Sequence, residues 1–500
     1  MTQNFDSLKN KTFDLLVIGG GINGAAIANI ASRHGLSVCL VEKGDFAGGT
    51  SSKSSKLVHG GIRYLENFEF KLVQESLKER AIHLKEVPYL VKPIPFLIPV
   101  YKGDKRPLWM MKLGVLLYNF LAGKNNIGPY KSFNAAELLK VEPALKPDGL
   151  VGGVQYYDAQ MDDARLCLEN VLTARARGAE TFNYAEVTQL LKENGRAVGV
   201  KVRDVLNPDS RDVEVKAKKT IVTAGPWSNV ILKMDNPEAP DCVRTTKGIH
   251  IVYPGRISSR ALLVPSSRDS RIFFVIPWQE ENTLIGTTDT DFRGNPDDVE
   301  VDEKDIRYLM EEARRVFPDF PLSSENAITF AGLRPLVRSS ADSPSKVSRE
   351  HSIFETASGM IYVTGGKYTT YRIVAEETLS RVIPIQKEER FPLYGSGTIS
   401  ETLEQAAAKY GVEARIAGAL MEKYGARYAD VLKLTLEDSK LKEKICPHSP
   451  VIKAQIVYSI QTEMAKRPED IITRRLSLGY NACVMKQCKE IIHKTVSEYL

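Results

Sequence analysis

Apolar residues change rhythm three times within the first 42 positions. Thr12–Ile18 (TFDLLVI) is a nearly continuous apolar run, as a buried strand requires. Ile22–His34 reads as a helix with alanines on its packing side, and Ser37–Val41 (SVCLV) is a second short apolar run. This is the strand–helix–strand pattern of a doubly wound sheet. Downstream, Phe68–Lys85 is helical and charged, and Val87–Val100 is proline-rich and extended, a poor match to the first domain. Leu108–Ala122 (LWMMKLGVLLYNFLA) is apolar but interrupted by Lys112 and Asn119. It fits either a core helix or a patch that dips into a bilayer surface.

Helical spacing returns at Asp162–Arg177, followed by β runs at Glu186–Leu191, Ala197–Val202 and the buried Thr220–Thr223. Gly248–Phe292 contains several antiparallel-strand patterns suited to a sheet that covers a substrate. Asp302–Phe317 predicts a helix and Met360–Thr364 a short buried strand. Beyond about Glu388 the rhythm is amphipathic helix throughout: Leu403–Tyr410, Ala414–Tyr424, Tyr428–Leu434, Val451–Glu463 and Ala482–Tyr499.

Composition narrows the classes. A chain of 500 residues exceeds one ordinary core, so two or three domains are expected. Hydrophobic content of 43% and charged content of 26% belong to a soluble globular protein. No apolar stretch reaches membrane-spanning length. A net charge of +6 is mild; an anionic substrate or lipid surface is compatible with it, and a solvated basic face is the default. The lysines and arginines are dispersed, so nucleic acid is not an expected partner. Cys483 and Cys488 have no nearby histidine, and Asp289 and Asp291 lack a further carboxylate at ligand spacing, so no metal site is expected. Six scattered cysteines and no secretory pattern at the N-terminus suggest a cytoplasmic setting.

The chemistry begins between the first strand and helix. Gly19, Gly21 and Gly24 form a GxGxxG loop, with Asn23 inside it. Such a loop allows a sharp turn, a close backbone approach to pyrophosphate and tight helix packing. Glu42 ends the next strand, where a carboxylate accepts both hydroxyls of an adenosine ribose. This defines a dinucleotide without choosing FAD or NAD. The polar stretch Thr50-Ser51-Ser52-Lys53-Ser54-Ser55-Lys56 suits a flavin's phosphates and ribityl chain. Small residues also end two remote strands, at Ala224-Gly225 and Gly365-Gly366. Together these favour FAD.

Six longer motifs carry a resemblance: SSKLVHGGIRYLE (Ser54–Glu66), TAGPWS (Thr223–Ser228), KGIHIV (Lys247–Val252), IGTTDTDF (Ile285–Phe292), GLRPL (Gly332–Leu336) and GGKYTTYR (Gly365–Arg372). In this order they closely resemble the FAD-dependent, quinone-linked glycerol-3-phosphate dehydrogenases. The resemblance implies an α/β fold with a glutathione-reductase-like FAD-binding (Rossmann-type) domain at 1–85, 150–245 and 325–385. It further implies an antiparallel-sheet substrate domain at 86–149 and 246–324, and a C-terminal helical domain at 386–500. The implied reaction oxidises sn-glycerol 3-phosphate to dihydroxyacetone phosphate and passes electrons to membrane quinone. That places the protein on the inner face of the cell membrane as a peripheral protein; a homodimer is one candidate assembly. The similar glycerol-3-phosphate oxidases deliver electrons to oxygen, making hydrogen peroxide, and typically carry a long insertion after GLRPL. Only about 28 residues separate Leu336 from Gly365 here, which favours the dehydrogenase.

Such a reaction needs a phosphate clamp, a base and positive character near the flavin. By motif position the clamp candidates are Arg63 and Arg334, with Tyr64 as an auxiliary donor. His250 is the candidate base, and Lys367 would stabilise the flavin anion or share the proton transfer. Thr369 and Thr370 would hydrogen-bond the flavin, and His59 would shape its loop. Lys43, Gly60, Val187, Trp227 and Gly332 complete the expected cofactor contacts.

Overall fold

The computed structural model describes residues 4–269, 271–279, 281–323, 325–338, 350–385 and 390–500, and leaves out the side chains of 482 and 483. Thr12–Ile18 lies between two parallel neighbours, Val213–Val222 and Val38–Val41, at the centre of an eight-stranded sheet. Both its faces are covered, which is why its apolar run shows no alternation. The sheet continues outward to Glu180–Phe182 on one side and to Ile361–Gly365 and His351–Glu355 on the other. The Ile22–Arg33 helix packs on one face beside the helices Asp163–Ala176 and Tyr371–Leu379. Its small buried residues Ala25, Ala28 and Ala31 permit that close approach.

The second sheet has ten strands, and its middle carries the chemistry. Val243–Pro254 pairs antiparallel with Ile328–Val337 along ten positions and with Asn282–Gly286 on its other edge. The proline-rich run forms the strand Val91–Tyr101, paired with Leu150–Met161 over most of its length. Pro93, Pro95 and Pro99 occupy alternate positions, so the missing N–H groups all fall on one edge. The other pairing of this strand, with Ala261–Pro265, extends over only Phe96 and Leu97.

Leu150–Met161 and Ile328–Val337, which fall within the ranges expected for the nucleotide domain, form strands of this second sheet. Hydrophobic pattern identifies a strand but not its sheet, because both sheets bury such strands. Helices dominate the C-terminal part, in two apolar clusters built around Leu420 and Leu432 and around Ile456 and Ile492. The expected boundary at 386 lies outside the described residues. No helix among the described residues is long and apolar enough to cross a membrane.

Candidate active site

The nucleotide end is built mainly from backbone. Gly21 caps the Ile22–Arg33 helix in an extended conformation, leaving the helix N-terminus facing outward. A Cβ on Gly24 would lie 2.0 Å from the Gly19 carbonyl oxygen and 2.5 Å from Thr223 Oγ1, so only glycine fits there. Glu42 accepts hydrogen bonds from the backbone N–H groups of Gly20 (2.7 Å) and Gly44 (2.9 Å), aligning its carboxylate beside the loop. Burial raises its pKa despite these bonds. Ser51 Oγ accepts the first helical N–H, that of Ile22, at 2.9 Å. Lys43 lies 4.3 Å from the centre of the Trp227 ring, and both bond Asp297. Val187 is buried two residues after Ala185, whose N–H bonds the Glu42 carbonyl.

The fit to FAD rests on features of this chain. A Cβ on Gly225 would meet nothing within 4 Å, so the backbone there borders open space next to the sheet. Ser52 Oγ and Thr364 Oγ1 are buried with no partner among the described residues, as donors awaiting a polar ligand would be. Gly19, Glu42, Ser51 and Ser52 would hold the nucleotide and phosphates, and Thr369 with Gly366 the far end.

Lys56 is placed differently from a direct phosphate contact. Its ammonium is buried and bonds Asp163 Oδ1 at 2.6 Å and the Ser52 carbonyl at 2.7 Å. It braces the polar loop from within. Asp163 also accepts from Ser54, so one carboxylate at a helix start orders both ends of the turn. Lys53, which sequence reasoning passed over as a site, is crowded instead. Burial and neighbouring Lys56 lower its ammonium to about 8, and it backs onto Gly332 and lies 5.8 Å from the Phe330 ring.

The reacting end is built from side chains. His250 opposes Phe330 in the strand pair, and Thr246 opposes Arg334. Alternation puts His250, Gly248, Phe330, Gly332 and Arg334 on one sheet face. The Arg334 guanidinium lies over Gly248, where a Cβ would come within 2.4 Å of it, so a side chain there would push the arginine away. Arg334 donates to Thr287 Oγ1 (2.9 Å) and the Thr288 carbonyl (3.2 Å), and pairs with Asp289 at 3.3 Å. Asp291 instead receives Arg244 in a forked pair, so each of the two aspartates has an arginine partner.

His250 stacks on Phe330, with ring centroids 4.9 Å apart, and its Nε2 is 2.9 Å from Ser55 Oγ. Its Nδ1 is buried with no partner among the described residues. Burial, then the charges of Arg334 and Lys56, hold its pKa well below the usual value, so the ring is neutral at working pH. A neutral imidazole can accept a proton.

Lys367 approaches from the other side of the flavin loop. Its Nζ sits 3.6 Å from the centre of the Tyr64 ring and 3.4 Å from Ser76 Oγ. Arg63 precedes Tyr64 in the turn Ile62–Asn67 and is half-buried. The charged helix Phe70–Glu86 supports this corner with a buried polar face. Arg80 bonds Asp158 at 2.7 Å, and that carboxylate also takes the Gly60 N–H. His83 Nε2 donates to the Thr369 carbonyl at 3.0 Å, Glu79 holds Arg372, and the His59 N–H donates to Thr369 Oγ1 at 3.1 Å. Thr370 Oγ1 turns to the Lys367 carbonyl. The spacing of Ser76, Glu79, Arg80 and His83 (i, i+3, i+4, i+7) carried the signal for this face, which is polar where a core-facing stripe is usually apolar.

Comparison with known proteins agrees with this architecture. The family model described as FAD dependent oxidoreductase matches residues 14–376, and one described as the C-terminal domain of alpha-glycerophosphate oxidase matches residues 387–500. The chain is 37% identical to the glycerol-3-phosphate dehydrogenase of Synechocystis sp., over 95% of this chain and 91% of that protein. It is 36% identical to the aerobic glycerol-3-phosphate dehydrogenase of Bacillus subtilis, over 94% and 87%. A solved structure of the glycerol-3-phosphate dehydrogenase from Bacillus halodurans complexed with FAD superposes with a TM-score of 0.81. It is 30% identical, covering 99% of this chain and 92% of that one. The chain belongs to the FAD dependent oxidoreductase family, within it to the FAD-dependent glycerol-3-phosphate dehydrogenases.

Proposed function

We propose that the protein oxidises sn-glycerol 3-phosphate to dihydroxyacetone phosphate, with hydride passing to flavin N5 and electrons onward to membrane quinone. The observation that carries this reading is the shared sheet face on which a neutral imidazole, His250, stands beside a guanidinium, Arg334. Bound FAD supplies the two-electron acceptor for the substrate carbon. Arg334, assisted by Arg63 and Tyr64, binds the phosphate dianion through forked donors. His250 Nε2 exchanges its Ser55 contact for the substrate hydroxyl and takes its proton. Lys367, beside Tyr64, would bring positive charge from the opposite side, where it would steady developing negative charge. Phe330 keeps the imidazole plane fixed and water away from its face. Adding glycerol 3-phosphate to the yellow protein without air should bleach the flavin band; persisting oxidised absorbance would overturn the reading. Fast peroxide formation in air without another acceptor would reassign it to an oxidase.

Peripheral attachment to the inner face of the membrane is supported by the helix Leu108–Ala122. Trp109, Leu113, Leu116 and Phe120 repeat at helical spacing and are 68%, 60%, 49% and 80% exposed. Lys105, Lys112 and Lys124 flank this stripe, as contact with anionic lipid requires. The helix packs beside the turn that carries Arg63 and Tyr64, so a bilayer there would lie close to the reacting end. The wild type should float with anionic vesicles, whereas a Leu113→Asp/Phe120→Asp double variant should not. Equal flotation would remove this surface from consideration.

A further inference from the structure

The C-terminal helical region makes a second kind of contact with the nucleotide domain, through charge. Its turn Asp470–Arg475 projects two arginines onto Asp45, three residues after Glu42. Arg475 grips the Asp45 carboxylate with both terminal nitrogens, at 2.7 and 2.8 Å, and Arg474 Nε adds a bond at 2.6 Å. Asn183 donates to the same carboxylate at 2.9 Å. Asp45 is 3% exposed and Arg475 1%, so water contributes little to this junction.

Asp45 is directly coupled to the glycine loop. The next residue, Phe46, lies against Gly20, where a Cβ would come within 2.6 Å of its ring. Ala47 donates its N–H to the Gly20 carbonyl at 3.1 Å, and Gly20 donates its own N–H to Glu42. A continuous path therefore leads from Arg475 through Asp45 and Phe46 to the ribose carboxylate. The same C-terminal region reaches the second cofactor loop. Tyr480 lies 5.2 Å from the Lys56 ammonium, and Glu463 pairs with Arg165 on the helix whose first residue, Asp163, braces Lys56.

We infer that the C-terminal region is a clamp on FAD, in which Arg474 and Arg475 act through Asp45 as positioning residues for the nucleotide-binding loop. The inference rests on FAD as the cofactor and not on the choice of substrate or electron acceptor. A bidentate guanidinium–carboxylate pair suits this task because it sets both distance and orientation. Burial makes the match strict, since either partner left alone is an uncompensated charge. An apolar contact of the same area would hold the two regions together and leave the Asp45 loop free to shift.

The experiment uses holoenzyme and reads FAD loss directly, as flavin passing an ultrafiltration membrane over time, beside the melting temperature. Arg475→Gln and Arg474→Gln should speed FAD release at least tenfold. Arg475→Lys, which keeps charge but loses the fork, should fall between Gln and wild type. The control is Leu432→Ala, a fully buried position in the C-terminal apolar cluster that touches no cofactor loop. It should lower the melting temperature and leave FAD release within twofold of wild type. Should Arg475→Gln not fold, the less deeply buried arginine, Arg474, 15% exposed, decides through Arg474→Gln. The clamp is overturned if the arginine variants melt early but retain FAD as wild type does, or if Leu432→Ala releases FAD equally fast.

Discussion

The two ends of the cofactor site are made of different materials. At the nucleotide end the working groups are backbone N–H groups, a helix start and one carboxylate within the segment 12–42, joined by the nearby hydroxyls of Ser51 and Ser52. At the reacting end they are side chains brought from four distant segments: Tyr64 from an early turn, His250 and Arg334 from two paired strands, and Lys367 from a late turn. Backbone sites tolerate little change in shape, because a Cβ has nowhere to go. Side-chain sites tolerate changes in shape but not in charge or proton affinity. On the proposed reading, the first end governs whether cofactor binds and the second what happens to substrate.

The strongest test of this division is Gly24→Val. The added carbons would overlap the Gly19 carbonyl, and the expected outcome is protein without yellow colour, checked by absorbance after purification. Retained flavin would show that the loop can rearrange. Next comes His250→Gln. It should keep FAD and lose about 10²–10⁴-fold in kcat, the usual worth of a positioned base. Because the ring is already neutral well below the ordinary range, wild-type kcat/KM should also show no histidine limb near pH 6.5. A full limb at that pH would assign the proton to another group. Arg334→Ala comes third, at about 10²–10³-fold in kcat/KM, from the loss of about 3–4 kcal/mol of charge-assisted binding. Its flavin spectrum should be unchanged. Unaltered substrate affinity would remove Arg334 from the clamp.

The division also decides what could be seen in the sequence. Gly19, Gly21, Gly24 and Glu42 were legible because a local segment sets their geometry: strand, turn, helix and strand in 31 consecutive residues, Thr12 to Glu42. His250, Arg334 and Lys367 stood out only through family motifs. Nothing in local spacing says that position 250 lies beside 334, since that neighbour relation comes from strand register. That Leu150–Met161 and Ile328–Val337 join the second sheet is a pairing fact of the same kind. Lys56 was legible only as part of the polar cofactor loop; its burial against Asp163, 107 residues away, is a tertiary fact. Asp45, Arg474 and Arg475 gave no signal, since each is an ordinary surface residue until the regions dock.

The smallest effect expected separates the ends by the sign of their response to acid. His83 and His250 are buried at the reacting end, and burial lowers both below the ordinary 6.5. The unfolded chain then takes up protons that the folded one refuses. Stability is full above about pH 6.5 and falls as the pH drops below it, by about 1 kcal/mol per histidine between pH 7.5 and 5.5. Glu42 at the nucleotide end has the opposite sign. Its carboxyl is raised above the ordinary 4.5, so mild acidification favours its folded form. His83→Gln preserves an N–H for the Thr369 carbonyl while removing the titration. It should flatten the melting temperature between pH 7.5 and 5.5 by one histidine's share, whereas Glu42→Gln should remove a gain in stability that the wild type makes as the pH falls toward 4.5. An identical slope in His83→Gln and wild type would mean that the ring takes up its proton as readily in the folded protein as in the unfolded chain, so that its burial beneath Thr369 does not exclude the charge.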